Sequence, residues 1–265
     1  MKASSAARQL AQLLRTATPR RIRRGMARIG DYATADIRET VAFPSIELAL
    51  RTLRDLGFEP RVCVDIGAYE GTWTRMCRSI FPNAEVLMLE PLESKAFGLE
   101  KVAREFAPAV RYRRALLTAR DGDEVTFYAM ETGSSVFPET SPYSRAEVST
   151  TTCTLDTILA EQDMRQVDLI KVDVQGAELE VLRGGTRALE GAAAVLVEVS
   201  LVPVNAGCPS FAEVVSFLTQ SGFQLFDFCS QVRRRDGVLW QTDLLFVRSG
   251  SPFVPRPELT RENWG

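Results

Sequence analysis

Acidic side chains beside glycines, at the ends of short apolar runs, are where this sequence carries its chemistry. The first such run, Val62 to Ile66, leads into Gly67-Ala68-Tyr69-Glu70-Gly71-Thr72-Trp73. Glycines at 67 and 71 allow a tight turn that approaches a ligand closely, and the helix expected next offers free N–H groups. The spacing is not the Gly-x-Gly-x-x-Gly that lays a pyrophosphate on a helix, and the carboxylates of Asp65 and Glu70 repel an anion. An acidic turn suits a cation. The second run ends at Glu90, 23 residues after Gly67 and just before Pro91. In a doubly wound sheet an acid at that separation accepts both ribose hydroxyl protons, so the pair of features specifies an adenosine-type ligand. The alternative is a strand-end acid that faces water.

The elements needed to position these groups are legible in the apolar spacing. Pro44-Ser45 opens a helix with Ile46, Ala49, Leu50 and Leu53 on one face, closed by Gly57. Strands are expected at residues 62–66, 85–90 and 110–117, with helices between them carrying Trp73, Met76, Cys77 and Ile80, then Leu99, Val102, Ala103 and Phe106. Asp121-Gly122 turns into a strand over 125–130, and residues 151–153 form a further short extended piece. The runs 167–173 and 193–199 are β-branched and apolar with little alternation, as a buried parallel sheet requires. Phe211 to Gln220 is a helix, and residues 223–228 and 240–247 form an antiparallel hairpin across Arg235-Asp236-Gly237. Strand and helix alternate for most of the chain. The fold class is therefore an α/β doubly wound sheet whose ligands sit at the carboxyl ends of the strands.

Composition narrows the function further. The 265 residues contain no histidine, which removes Ser-His-Asp and Cys-His catalysis and the commonest zinc ligand. Five widely spaced cysteines among apolar neighbours read as reduced and structural. No apolar run reaches the length of a membrane span or a signal peptide, so a soluble, cytoplasmic protein is expected. Of 32 basic residues, eight lie in the first 30 positions, where there is no acid, leaving 24 against 34 acidic groups in the rest. That basic arm suits a nucleic acid, an anionic membrane, an acidic surface of its own or a sister chain, or an organellar transit peptide; a solvated, partly helical arm is the plain alternative. The acidic body argues against extensive nucleic-acid contact, and the arm permits a homodimer.

Asp65-Ile-Gly-Ala-Tyr-Glu-Gly, Leu89-Glu-Pro, Gly133-Ser-Ser, Asp168-Leu-Ile-Lys-Val-Asp-Val-Gln-Gly-Ala-Glu178 and Asp243-Leu-Leu-Phe-Val closely resemble the FkbM family of S-adenosylmethionine-dependent methyltransferases. The resemblance covers about residues 60–248 and is most specific from Lys171 to Gly184. It implies a class I methyltransferase sheet of seven strands with the last antiparallel, over residues 58–250, between a basic helical extension (1–57) and a tail (251–265). It also implies O-methylation of a small molecule, sugar or natural product. Gly67 to Gly71 would then wrap the methionine part of S-adenosylmethionine, Glu90 would hold the ribose, and Ala115 and Leu116 would edge the adenine. Tyr69 and Trp73 would offer aromatic faces to the sulfonium.

Within that frame Asp173 is the first candidate for catalysis and Glu198 the second. Glu178 competes with them, or simply faces a helix dipole at a helix start. Many relatives place a histidine two residues after the glutamate; Ser200 stands there in this chain. Asp173 and Glu198 together could ligate a divalent metal through oxygen, which is not favoured. Residues 133–138 with Pro142 are expected to form a mobile segment closing over the site, with Ser134 and Ser135 toward the substrate. Lys171 is expected to snorkel at the sheet face. Arg233-Arg234-Arg235 reads as a soluble hairpin tip or a contact for an anionic acceptor. An NAD-linked oxidoreductase and a noncatalytic binding module are the competing functions.

Overall fold

Ser45 accepts a hydrogen bond from Leu48 N and so caps the first helix, α1 (Ile46–Asp55), whose Ala49, Leu50 and Leu53 are fully buried. The computed structural model describes residues 44–131, 133–138, 144–164, 166–203 and 205–254. The basic arm, Pro142 and the tail beyond residue 254 lie outside the described residues. Residues 46–55, expected within the N-terminal extension, share a core with Cys63, Cys77 and Leu169. Phe253 closes on the same layer, its ring 5.3 Å edge-on from Phe58.

From there the chain alternates: β1 (Val62–Ile66), α2 (Thr72–Ile80), β2 (Glu85–Leu89), α3 (Glu93–Glu105) and β3 (Val110–Arg113). After β4 (Glu124–Ala129), β5 (Ala146–Thr151) and α4 (Leu155–Glu161) it returns through β6 (Leu169–Val172), α5 (Glu178–Arg183), α6 (Thr186–Gly191) and β7 (Ala194–Ser200). It finishes with α7 (Phe211–Gln220), β8 (Phe223–Phe228), β9 (Val232–Arg233) and β10 (Leu239–Arg248). The sheet runs β3-β2-β1-β6-β7-β10-β8, parallel except that β10 is antiparallel to both its neighbours, while β9 pairs with the start of β10. This is the expected doubly wound sheet. Order reverses between β1 and β6, so both crossovers diverge there and leave a crevice above the carboxyl ends. Apolar residues on both faces of β1, β6 and β7 pack against helices in two layers.

Two expectations fail locally. The third strand stops at Arg113 instead of Leu117, because Ala115 and Leu116 leave the sheet to line the crevice and only Leu117 bridges again, to Cys153. The extended piece expected at 151–153 is instead β5, six residues beginning at Ala146 and paired antiparallel with β4 in a separate sheet. Ala146 to Thr151 is almost wholly exposed, so it has no apolar alternation to announce a strand. No described helix is long and apolar enough to cross a membrane.

Candidate active site

The loop from β1 to α2 is held from below. Gly67 N and Ala68 N both donate to Leu89 O, at 2.9 and 3.1 Å, which ties the turn to the end of β2. Gly67 has φ +73°, and a Cβ there would stand 1.8 Å from the carbonyl oxygen of Asp173. Only glycine lets the loop lie this close to the end of β6. Glu90 is 5% exposed, and its two oxygens accept Tyr69 N at 2.9 Å and Leu92 N at 3.0 Å. Burial raises its pKa, and the two backbone donors pull it back. Each oxygen keeps a lone pair free.

Above these groups lies a cleft of about 440 Å³. Of the residues singled out from sequence, Gly67, Tyr69, Glu90, Pro91, Ala115, Leu116, Gly133, Ser134, Ser135, Asp173, Glu198 and Ser200 line it. The others stand back. Asp65 is fully buried beneath the loop, accepting Thr74 Oγ1 at 2.7 Å. Ala68 is buried, Gly71 caps α2 in a left-handed conformation, and Thr72 is exposed at the first helical position. Trp73 packs into the core because its place on α2 faces the sheet, so its indole offers no face to the cleft. Glu70 pairs with Lys95 at 3.2 Å, and Lys95 Nζ sits 3.9 Å from the Tyr69 ring centre. The cation on Tyr69 is thus a lysine of this chain. Ser135 is 1% exposed and exchanges backbone hydrogen bonds with Tyr128, so the described part of the 133–138 segment is bound back onto β4.

Lys171 corrects the reading from sequence most sharply. It does not snorkel: it is 6% exposed, with Nζ 3.1 Å from Asp65 Oδ1 and 3.5 Å from Asp173 Oδ2. It also donates to Gly67 O at 2.8 Å. Burial alone would lower its pKa, but Asp65 and Asp173 more than reverse that, and it stays charged. Next to it, Gln175 Nε2 donates to Asp173 Oδ1 at 3.0 Å and Glu198 Oε2 at 2.6 Å. Gln175 has φ +52°, a left-handed conformation that costs a residue with a Cβ about 1–3 kcal/mol. Glu198 accepts a second amide, Gln241 Nε2, at 3.0 Å. Burial first, then Asp173, Asp243 and Glu178, push its pKa well above the carboxylate range. Among the described residues, no group of three or more His, Cys, Asp or Glu is placed to hold a metal ion.

The family profile described as the methyltransferase FkbM domain matches residues 65–225, well over half of the chain. The protein belongs to this family. It is an S-adenosylmethionine-dependent methyltransferase on a class I, Rossmann-like sheet, and the oxidoreductase alternative falls. No curated protein sequence matches the chain. Among solved structures, the O-methyltransferase TomG from Streptomyces achromogenes is 15% identical at a TM-score of 0.46, covering 80% of this chain and 83% of its own. A precorrin-6y C5,15-methyltransferase from Geobacter metallireducens is 13% identical at 0.43, with 76% and 88% covered.

Sequence reasoning missed three side chains of this FkbM methyltransferase's cleft: Gln175, Asn205 and Gln241. Asn205 Nδ2 donates to Gln175 O, and all three line the cleft. Uncharged amides inside strands and loops leave no mark in charge pattern or periodicity. Glu178 settles as a buttress: it is 3% exposed, does not line the cleft, and accepts Gly176 N at 2.8 Å. Burial pushes its pKa up to about 7. A group raised in the folded state contributes stability below its unfolded value and loses it as pH rises to the folded value. Stability should therefore fall by about 3 kcal/mol between pH ~4.5 and ~7 relative to Glu178→Gln. Urea unfolding of both proteins across that range checks this; parallel curves would refute it.

Proposed function

We propose that this enzyme methylates a hydroxyl oxygen of a small-molecule acceptor, a sugar or a natural product, with Glu198 taking the hydroxyl proton. The observation that carries the reading is a half-buried carboxyl of raised proton affinity, Glu198, opening on the cleft beside Asp173. S-adenosylmethionine supplies a methyl carbon made electrophilic by its positive sulfur. Nitrogen and sulfur nucleophiles need little help with such a carbon, whereas a neutral alcohol must shed its proton, and a carboxylate of raised proton affinity serves that need. With Ser200 two residues after Glu198 and no histidine in the chain, a carboxylate is the base we assign. Asp173 orients the acceptor, and the remaining work is positioning.

Toward the cofactor, Glu90 fits the ribose through the lone pairs its backbone donors leave free. Ala115 and Leu116 give the adenine an apolar edge, and the Gly67–Gly71 turn receives the methionine part. Lys171 offsets much of the negative charge of Asp65 and Asp173 beneath it. Glu90→Ala should weaken S-adenosylhomocysteine binding by about 1–3 kcal/mol in calorimetry, the loss of charge-assisted hydrogen bonds. An unchanged dissociation constant would remove Glu90 from the ribose.

The function is tested by screening alcohol, amine and thiol acceptors for S-adenosylhomocysteine release. Turnover with amines alone would sink the hydroxyl assignment. Glu198→Gln should lower turnover on the hydroxyl acceptor about 100-fold while leaving S-adenosylhomocysteine affinity nearly intact. Equal losses in both would place Glu198 in the cofactor shell.

A further inference from the structure

We infer that Gln175 is a positioning residue standing where a divalent cation would otherwise bridge Asp173 and Glu198, so that the two carboxylates work joined by an amide donor. The inference builds on Glu198 as the acceptor's base. Carboxylates brought together at the ends of β6 and β7 repel unless a proton, a cation or a hydrogen-bond donor lies between them. Here the donor is one nitrogen, 3.0 Å from Asp173 Oδ1 and 2.6 Å from Glu198 Oε2. An amide nitrogen has two protons, one for each carboxylate, and no lone pair to offer a metal.

Gln175 is itself held at both ends. Its side-chain oxygen accepts Gln241 Nε2 at 3.4 Å, and its main-chain oxygen accepts Asn205 Nδ2. The left-handed backbone at φ +52° is what turns it between the two acids. Gln241 also donates to Glu198 Oε2 at 3.0 Å, so that oxygen carries two donors. Among the described residues no donor reaches Glu198 Oε1. The bracket therefore makes Glu198 one-sided: Oε2 is fixed, and Oε1 is the atom that receives the acceptor's proton. The charged groups facing Glu198 are Asp173 and Lys171 from β6 and its end, Glu178 from α5 and Asp243 from β10.

Two measurements on the cofactor-free protein test the bracket. In the first, Mn2+ is titrated in and its paramagnetic resonance signal followed. Wild type should leave the ion free up to ~1 mM, while Gln175→Glu, which sets a third carboxylate at the same point, should bind it at least about tenfold more tightly. Wild-type binding that disappears in Glu198→Gln overturns the inference, as does Gln175→Glu binding no better than wild type. In the second, the Glu198 carboxyl band, identified by its loss in Glu198→Gln, is titrated by infrared difference spectroscopy. Gln175→Gly, which also relieves the left-handed backbone, should move its midpoint up by about one pH unit, because a donor to the ionised form is gone while Asp173, Asp243 and Glu178 remain. An unmoved midpoint overturns the inference. Neither readout uses turnover. Retained turnover in Glu198→Gln would instead unseat the base assignment, and leave the bracket judged on the metal and infrared results.

Discussion

Gly67→Ala should destabilise the protein by about 3–5 kcal/mol and abolish most of its affinity for S-adenosylhomocysteine, the sum of a backbone overlap and a left-handed residue with a Cβ. The new methyl would stand 1.8 Å from Asp173 O and 2.9 Å from Asp173 C. Both are backbone atoms, so no rotamer change relieves the contact. Relief requires the β1 loop to lift from the end of β6, and that movement stretches a set of bonds at once. Gly67 N donates to Leu89 O at 2.9 Å, Gly67 O accepts Lys171 Nζ at 2.8 Å, and Asp173 N donates to Ile66 O at 3.1 Å. The loop proposed to cradle the cofactor and the acid proposed to orient the acceptor would separate together. Gly122→Ala supplies the control: its φ is +79°, yet a Cβ there meets nothing within 4 Å, so only the conformational cost of about 1 kcal/mol applies. Urea unfolding and calorimetric titration compare the two. If both variants lose the same stability, the close approach of loop and strand is not what the glycine serves.

The contrast between these glycines shows what the sequence makes legible. The succession of strands and helices, the turn at Gly67 and the acid at Glu90 are legible in apolar spacing, because each is dictated by a run of buried residues and the point where it stops. Trp73, which the family resemblance offers as an aromatic face for the sulfonium, lies in the core, as its helical spacing with Cys77 and Ile80 requires. β5 escaped because Ala146 to Thr151 buries little on either face, so pairing with β4 is a backbone matter without an apolar signature. The amide bracket escaped for a different reason. Gln175, Asn205 and Gln241 come from a loop after β6, a loop after β7 and the start of β10, and no local pattern connects residues that meet only through the fold. Lys171 is visible in the sequence but its setting is not: a lysine in an apolar strand reads as a side chain escaping to water until its two carboxylates are seen beside it.

Lys171→Met, accordingly, should cost about 3–5 kcal/mol, the penalty for leaving a buried charge without its partner. Asp65 is fully buried, with Lys171 Nζ at 3.1 Å from Oδ1 and only the Thr74 hydroxyl on its other oxygen. A methionine fills the volume but supplies no charge, so the loss is electrostatic and not a cavity. Removing both charges is a different matter: Lys171→Met with Asp65→Asn should recover more than half of the loss, since a buried pair replaced as a unit often costs little. The pH dependence gives the sign. The lysine's pKa is raised in the folded state, so its contribution is fully present below its unfolded value near 10.4 and fades only as pH climbs toward the folded one. From the lysine's side, then, the stability gap between wild type and Lys171→Met should hold constant from pH ~6 to ~9. Denaturant unfolding of the single and double variants across that range decides the matter. A gap that closes by pH ~9, or a double variant no better than the single, would mean that Lys171 is not the cation that balances buried Asp65 and the cleft-lining Asp173.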